Sequence, residues 1–109
     1  MITSNQWKCY ELQANVIQAM AHPIRIAIVE VLRNGEVCVC DIAERIDTDR
    51  SNVSRHLAVM THAGILNSRK DGLQVFYSLQ TPCVLNFLAC ATQTLKQNLK
   101  QQAKAIGKR

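Results

Sequence analysis

The chain has 109 residues, 48% of them hydrophobic and 19% charged, with five cysteines and a formal net charge of +5. That is enough for one domain with a modest core and too apolar for a disordered chain, and no apolar run reaches the roughly 18 residues that cross a bilayer. The charge is lopsided, −3 over residues 1–49 and +8 over residues 50–109, which points to a polyanionic partner for the second half.

Residues 5–20 read as a helix with two apolar stripes, Trp7, Tyr10, Ala14, Ile17 and Leu12, Val16, Met20. A helix apolar on two sides is expected to be covered twice, by its own core and by a partner chain. His22-Pro23 breaks it, and Pro23 suits the first turn of the next helix. That helix carries the stripe Ile24, Ala27, Ile28, Val31, Leu32 and is expected to end at Asn34-Gly35. A short helix follows over 39–46, with Ile42, Ala43 and Ile46 inward. After the turn Asp47-Thr48-Asp49, a further helix runs to His62 and stops at Gly64, capped by Asp49 or Ser51. Its inward side is Val53, Leu57 and Met60; its outward side is polar and basic.

Two short helices joined by a tight turn, the second basic outside, signal a helix-turn-helix. The period then changes. Leu73, Val75, Tyr77 and Leu79 alternate with Gln74, Phe76 and Ser78 as in a strand, Ile65–Arg69 is the expected partner strand, and Asp71-Gly72 is the expected hairpin turn. Thr81-Pro82 opens a last long helix with Val84, Leu88, Ala91, Leu95 and Leu99 at heptad-like spacing.

The most chemical segment is Val37-Cys38-Val39-Cys40-Asp41. Side chains two apart on a regular helix diverge, so both thiols reach one ion only where the backbone is extended or frayed, as at a helix start. The helix N-terminal field is expected to lower the thiol pKa there and favour thiolates, which select soft ions. An odd cysteine count, and an N-terminus Met1–Gln6 without the basic and apolar regions of a secretion signal, fit free or metal-bound thiols in the cytoplasm.

For DNA, Ser51, Asn52, Ser54 and Arg55 are the candidates for major-groove contact, since Arg can fork onto guanine and Asn onto adenine. Arg50, Arg69 and Lys70 are expected to grip phosphates. His56 is either a DNA contact or a hydrogen-bonded structural residue. Lys96, Lys100, Lys104, Lys108 and Arg109 can equally be a solvated tail.

The segments 37–42, 52–57, Arg69-Lys70-Asp71-Gly72 and 76–79, in this order, resemble the ArsR/SmtB family of metal-responsive repressors over roughly residues 10–100. The resemblance implies a mainly α-helical winged helix-turn-helix with a small β-hairpin wing. It also implies a homodimer that binds operator DNA when metal-free and leaves it when metal binds. On that frame, 1–109 is one DNA-binding domain, with 1–21 and 82–106 as dimerisation helices, 39–62 as the helix-turn-helix and 65–79 as the wing. Arsenite-sensing relatives carry a further Cys where this chain has Ala43. Cadmium- and lead-sensing relatives supply a cysteine pair from the partner's N-terminal arm, where this chain has Cys9 alone. The implied site is Cys38, Cys40 and Cys9 of the partner subunit, three sulfurs that favour arsenite or antimonite as inducer over cadmium or lead. Cys83 and Cys90, seven apart, are a second and weaker candidate site; Cys90 also reads as core. The zinc site of other relatives falls on Thr81, Cys83, Thr94 and Gln97, so zinc is not expected to be the inducer. A thiol-redox or persulfide switch on the same fold is the alternative. A thiol enzyme lacks both Cys-x-x-Cys in a strand-helix-strand unit and a Cys with a positioned His, so no catalytic residue is assigned.

Overall fold

The computed structural model describes residues 1–107; Lys108 and Arg109 of the expected basic tail lie outside them. The element order is α1 (Ser4–Gln18), α2 (Pro23–Val31), β1 (Val37–Cys38), α3 (Val39–Ile46), α4 (Arg50–His62), β2 (Leu66–Asp71), β3 (Gln74–Leu79) and α5 (Val84–Gly107). The three strands form an antiparallel sheet in the order β1-β3-β2.

Local chemistry sets most boundaries. Thr3 and Gln6 close a capping box at the start of α1: the Gln6 N–H donates to Thr3 Oγ1 (3.2 Å) and the Thr3 N–H to Gln6 Oε1 (2.8 Å). His22 caps α2 by accepting the Ile24 N–H at Nδ1, and Pro23 occupies the first turn. Helix α3 stops where Asp47 turns left-handed (φ 60°), a conformation Asp tolerates. Asp49 caps α4. Past α4, Gly64 (φ 88°) lets the Ile65 N–H reach the Met60 carbonyl and its own N–H reach that of Thr61, a Schellman closure that turns the chain straight into β2.

The core is where α2, α3 and α4 meet. Ile28, Val29, Leu32, Ile42, Val53, Leu57, Met60, Ile65 and Leu66 have essentially no exposed surface, and Val39, Ala43, Ala19 and Val84 close the edges. The inward positions expected on α3 and α4 are those buried, with Ile46 at the margin.

Two expectations are corrected. The hairpin loop is Gly72-Leu73 rather than Asp71-Gly72: Asp71 pairs with Gln74, and Gly72 (φ 64°) takes the first loop position. Helix α2 ends at Val31 rather than at Asn34-Gly35, with a turn through Gly35 (φ 131°). Strand β1 was not anticipated; its two residues pair with Tyr77 and Phe76 of β3. On helix α1, Val16, Ala19 and Met20 touch the core, while Trp7, Tyr10, Leu12 and Ile17 are exposed in the single chain.

Helix α5 behaves likewise, with Val84 buried, Leu85 and Leu88 packed against the core, and Phe87, Leu95, Leu99 and Ile106 exposed. The radius of gyration, 17.6 Å, exceeds the roughly 13 Å of a compact chain this long, because α1 and α5 extend past the core.

Leu57→Ala removes a side chain with no exposed surface from the centre of this core. It is expected to cost about 2–5 kcal/mol, read as the urea-midpoint shift at fixed protein concentration. A loss under about 0.5 kcal/mol would show that α4 does not depend on this packing.

Candidate metal centre and nucleic-acid interface

Cys38 belongs to two elements at once. It pairs with Phe76 as the second residue of β1, and with φ −76° and ψ 156° it is the extended residue before α3. Cys40 follows in the first turn of α3. This change from extended to helical backbone brings the two sulfurs to 3.2 Å, both as free thiols. Cys38 is 7% exposed, whereas Cys40 is open to solvent, so a guest ion has a way in.

A ligand atom from each of Cys38, Cys40 and Asp41 lies within 4.8 Å of the others. The sequence marks Asp41 as part of this segment but not as a ligand; its place directly after the pair was the available signal. Two soft sulfurs beside one carboxylate suit a thiophilic ion better than a hard one.

The expected lowering of the thiol pKa is corrected for Cys38. The Asp41 backbone N–H does pull it down, but the Cys40 thiol, burial and the Asp41 carboxyl together push it up. Resting Cys38 is therefore a protonated thiol, and capturing an ion must displace its proton.

Cys9 is exposed on α1 and is not part of the Cys38–Cys40–Asp41 group. Cys83 lies in the turn before α5 and Cys90 on α5; both are exposed, so Cys90 is not core in the single chain.

On α4, Arg50, Ser51, Ser54 and Arg55 are exposed, while Asn52 and His56 are half-buried. The Asp49 carboxylate accepts the Asn52 N–H (2.6 Å) and the Ser51 hydroxyl (3.0 Å), which hold its pKa down. The Asn52 amide donates to Thr48 Oγ1 (3.2 Å), so this side chain braces the turn as well as facing outward. His56 Nδ1 accepts from Arg25 Nε (3.0 Å), and its ring lies 4.6 Å from that of His22. Burial, then the charges of His22, Arg25 and Arg55, push the His56 pKa down.

In the wing, Lys70 is exposed on β2. Arg69 is engaged: Nε and Nη2 donate to the two Glu36 carboxylate oxygens (3.0 and 2.6 Å), and its guanidinium sits 4.9 Å from the Phe76 ring centre. Those bonds lower the Glu36 pKa and raise that of Arg69. Glu36 lies two residues before Cys38, and Phe76 pairs with Cys38 across the strands, so the wing clamp and the thiol pair share a frame. Arg25, two residues into α2, is a polar contact of the recognition helix that sequence reading missed; a lone Arg on an apolar helix carries no local sign of it.

Comparison with known proteins agrees with this architecture. The pattern of bacterial regulatory proteins of the arsR family matches residues 22–68. An uncharacterised HTH-type transcriptional regulator of Mycobacterium tuberculosis, Rv0081, is 31% identical over 98 residues, 89% of this chain and 86% of that one. Its crystal structure superposes with a TM-score of 0.74 over 87% of this chain and 96% of that one. The arsenical resistance operon repressor of Escherichia coli is 38% identical over 69 residues, 62% of this chain and 59% of that one. A cadmium resistance regulatory protein, a CadC homologue from Staphylococcus aureus, is 40% identical over 67 residues, 61% and 55% respectively. A winged helix-turn-helix with a basic recognition helix, matched over nearly its whole length by such a regulator, belongs to the ArsR/SmtB family of DNA-binding transcriptional repressors, and is not an enzyme.

Proposed function

We propose that this chain is a homodimeric repressor that holds operator DNA while its thiols are free and lets go when they ligate a soft metal or metalloid, arsenite or antimonite first among them. The observation that carries the reading is the pair of free sulfurs 3.2 Å apart at the entrance to α3, one of them open to solvent. Two sulfurs make an incomplete set for tight capture, and Cys9 of the partner subunit would complete a three-sulfur pyramid suited to arsenite. The bare apolar residues of α1 and α5 support a dimer built on 1–21 and 82–106. No helix among the described residues is long and apolar enough to cross a membrane.

Cadmium or lead is the second reading. It is favoured by the Asp41 carboxylate beside the pair, which offers these ions an oxygen donor without help from Cys9. Cys83 and Cys90 remain a weaker place for a second ion.

DNA release follows from what Cys38 touches. It is the N-cap of α3, the first helix of the helix-turn-helix, and a ladder residue of the wing's sheet. Closing Cys38 and Cys40 on one ion bears on both, and tilts α4 away from half-sites about 34–36 Å apart. The coupling is reciprocal, so operator DNA weakens ion capture by the same factor.

Arsenite is expected to release operator duplex from the purified dimer, and Cys38→Ser to remove that response with unliganded DNA affinity unchanged. Cys9→Ser separates the readings: it abolishes the arsenite response but spares the cadmium response if Asp41 supplies the third ligand. An operator affinity indifferent to arsenite, antimonite, cadmium and lead alike would sink the proposal.

Cadmium or lead must displace thiol protons into solvent, so their affinity is expected to rise with pH below the thiol range, about tenfold per pH unit for each proton displaced, whereas arsenite, present as As(OH)3, takes up each thiol proton as departing water and its affinity is expected to stay nearly flat. A cadmium affinity that is flat between pH 6 and 8 in a competition titration would mean that the thiols are not its ligands.

Operator affinity is expected to fall steeply with salt. Lys70→Ala should flatten the log–log slope by about one, whereas Glu36→Gln, which frees Arg69 for phosphate, should steepen it by about one. If Glu36→Gln instead flattens the slope, Arg69 serves DNA binding only while clamped.

A further inference from the structure

A cleft of about 220 Å³ opens between the start of α2 and one flank of α4, lined by Arg25, Asn52, Arg55, His56 and Val59. The residues of α4 that face it, 52, 55, 56 and 59, follow the i, i+3, i+4, i+7 rhythm of one helix face. That face adjoins the side of α4 read above as groove-facing.

Two arginines share this cleft, and neither makes an ion pair with an acid among the described residues. Asp49, the acid whose charge Arg55 feels, is committed to the α4 cap through Asn52 and Ser51. Arg25 spends Nε on His56 and Nη1 on the Ala19 carbonyl (3.3 Å), which leaves Nη2 unused and its plane fixed. His56 accepts at Nδ1, so it is held as the neutral Nε2–H tautomer, a donor that adds no charge. A half-buried cleft holding two uncompensated guanidiniums, an amide and an imidazole N–H lacks one thing, an anion with several acceptor oxygens.

We propose that this cleft seats one phosphodiester of the DNA backbone, with Arg25 of α2 as a direct phosphate ligand and Arg55 turned to the same phosphate rather than to a base. The inference rests on the chain's membership of a DNA-binding family and not on the metal reading. It gives α2 a share of the DNA surface that the helix-turn-helix segment 39–62 does not contain. His22, whose ring lies 4.6 Å from that of His56 and tilted to it by 44°, and the two arginines are the titratable and charged groups around the His56 ring. An arriving phosphate, with one negative charge, offsets part of the positive field they set.

The test measures binding of operator and of non-cognate duplex across a salt series, for wild type, Arg25→Gln and Arg25→Lys. Arg25→Gln is expected to weaken both duplexes several-fold and alike, and to flatten the salt slope by about one. Arg25→Lys keeps the charge and should retain the slope. A merely structural Arg25 gives a different result: Lys cannot reproduce the two-pronged bond to His56 and Ala19, so both variants would be equally impaired and the slope unchanged.

A second readout needs no variant. The His56 ring, followed by NMR in wild type, should titrate at higher pH with duplex bound than without it, and inorganic phosphate at matched ionic strength should reproduce little of that rise. A His56 titration unmoved or lowered by DNA overturns the proposal. A rise of equal size with inorganic phosphate alone would make the cleft a free-anion site, which also overturns it. Wild type that binds neither duplex would instead count against the family reading of DNA binding itself.

Discussion

The two-residue ladder between Val37-Cys38 and Phe76-Tyr77 is the contact on which the site depends. Without it the segment between α2 and α3 would be a loop, and nothing would hold Cys38 extended at the mouth of α3. With it, Cys38 faces the core edge, Cys40 comes round on the first turn, and their sulfurs meet. The ladder is also a mechanical tie. Phe76 pairs with Cys38 on one side and Arg69 on the other, and Arg69 reaches back to Glu36. The chemistry of the thiols and the posture of the wing are therefore settled by one small sheet.

Electrostatics divides the molecule in the same economical way. The acids nearest the basic residues of α4 and the wing are each engaged, Asp71 with Arg69 at 3.6 Å among them. Asp49 is bound to the cap of α4, and Glu36 is bound to Arg69. Arg25, Arg50, Arg55 and Lys70 have no acidic partner within salt-bridge distance among the described residues. Positive charge on that side is left for a polyanion, and the +8 of residues 50–109 acts through a few placed side chains as well as through bulk attraction.

Much of this was legible in the residues. Helices α3 and α4 announce themselves because their caps and stripes are local: Asp49 before, Gly64 after, and Val53, Leu57 and Met60 at helical spacing between. The thiol pair was legible because Cys-x-Cys diverges on a regular helix and converges only where the backbone is extended or frayed, as at a helix start. What was not legible depends on distant partners. Strand β1 is two residues long and exists through β3, some 39 positions away. The hairpin slipped by one residue because Asp-Gly and Gly-Leu are both workable two-residue loops, and the cross-strand register of β2 with β3 decides between them. The sense of the Cys38 pKa shift was missed because the neighbouring Cys40 thiol, then burial and the Asp41 carboxyl, together outweigh the Asp41 backbone N–H. Arg25 was missed because its significance is its contact with His56, 31 residues on.

Ile65 deserves a last consequence. Its N–H closes the end of α4 on Met60, and its carbonyl takes the N–H groups of Gln80 and Thr81, where the far strand of the hairpin leaves the sheet. With its side chain wholly enclosed, this residue solders helix and hairpin at a single joint. Helix α4 and the wing therefore cannot swivel separately, and any tilt of one is carried to the other through this residue.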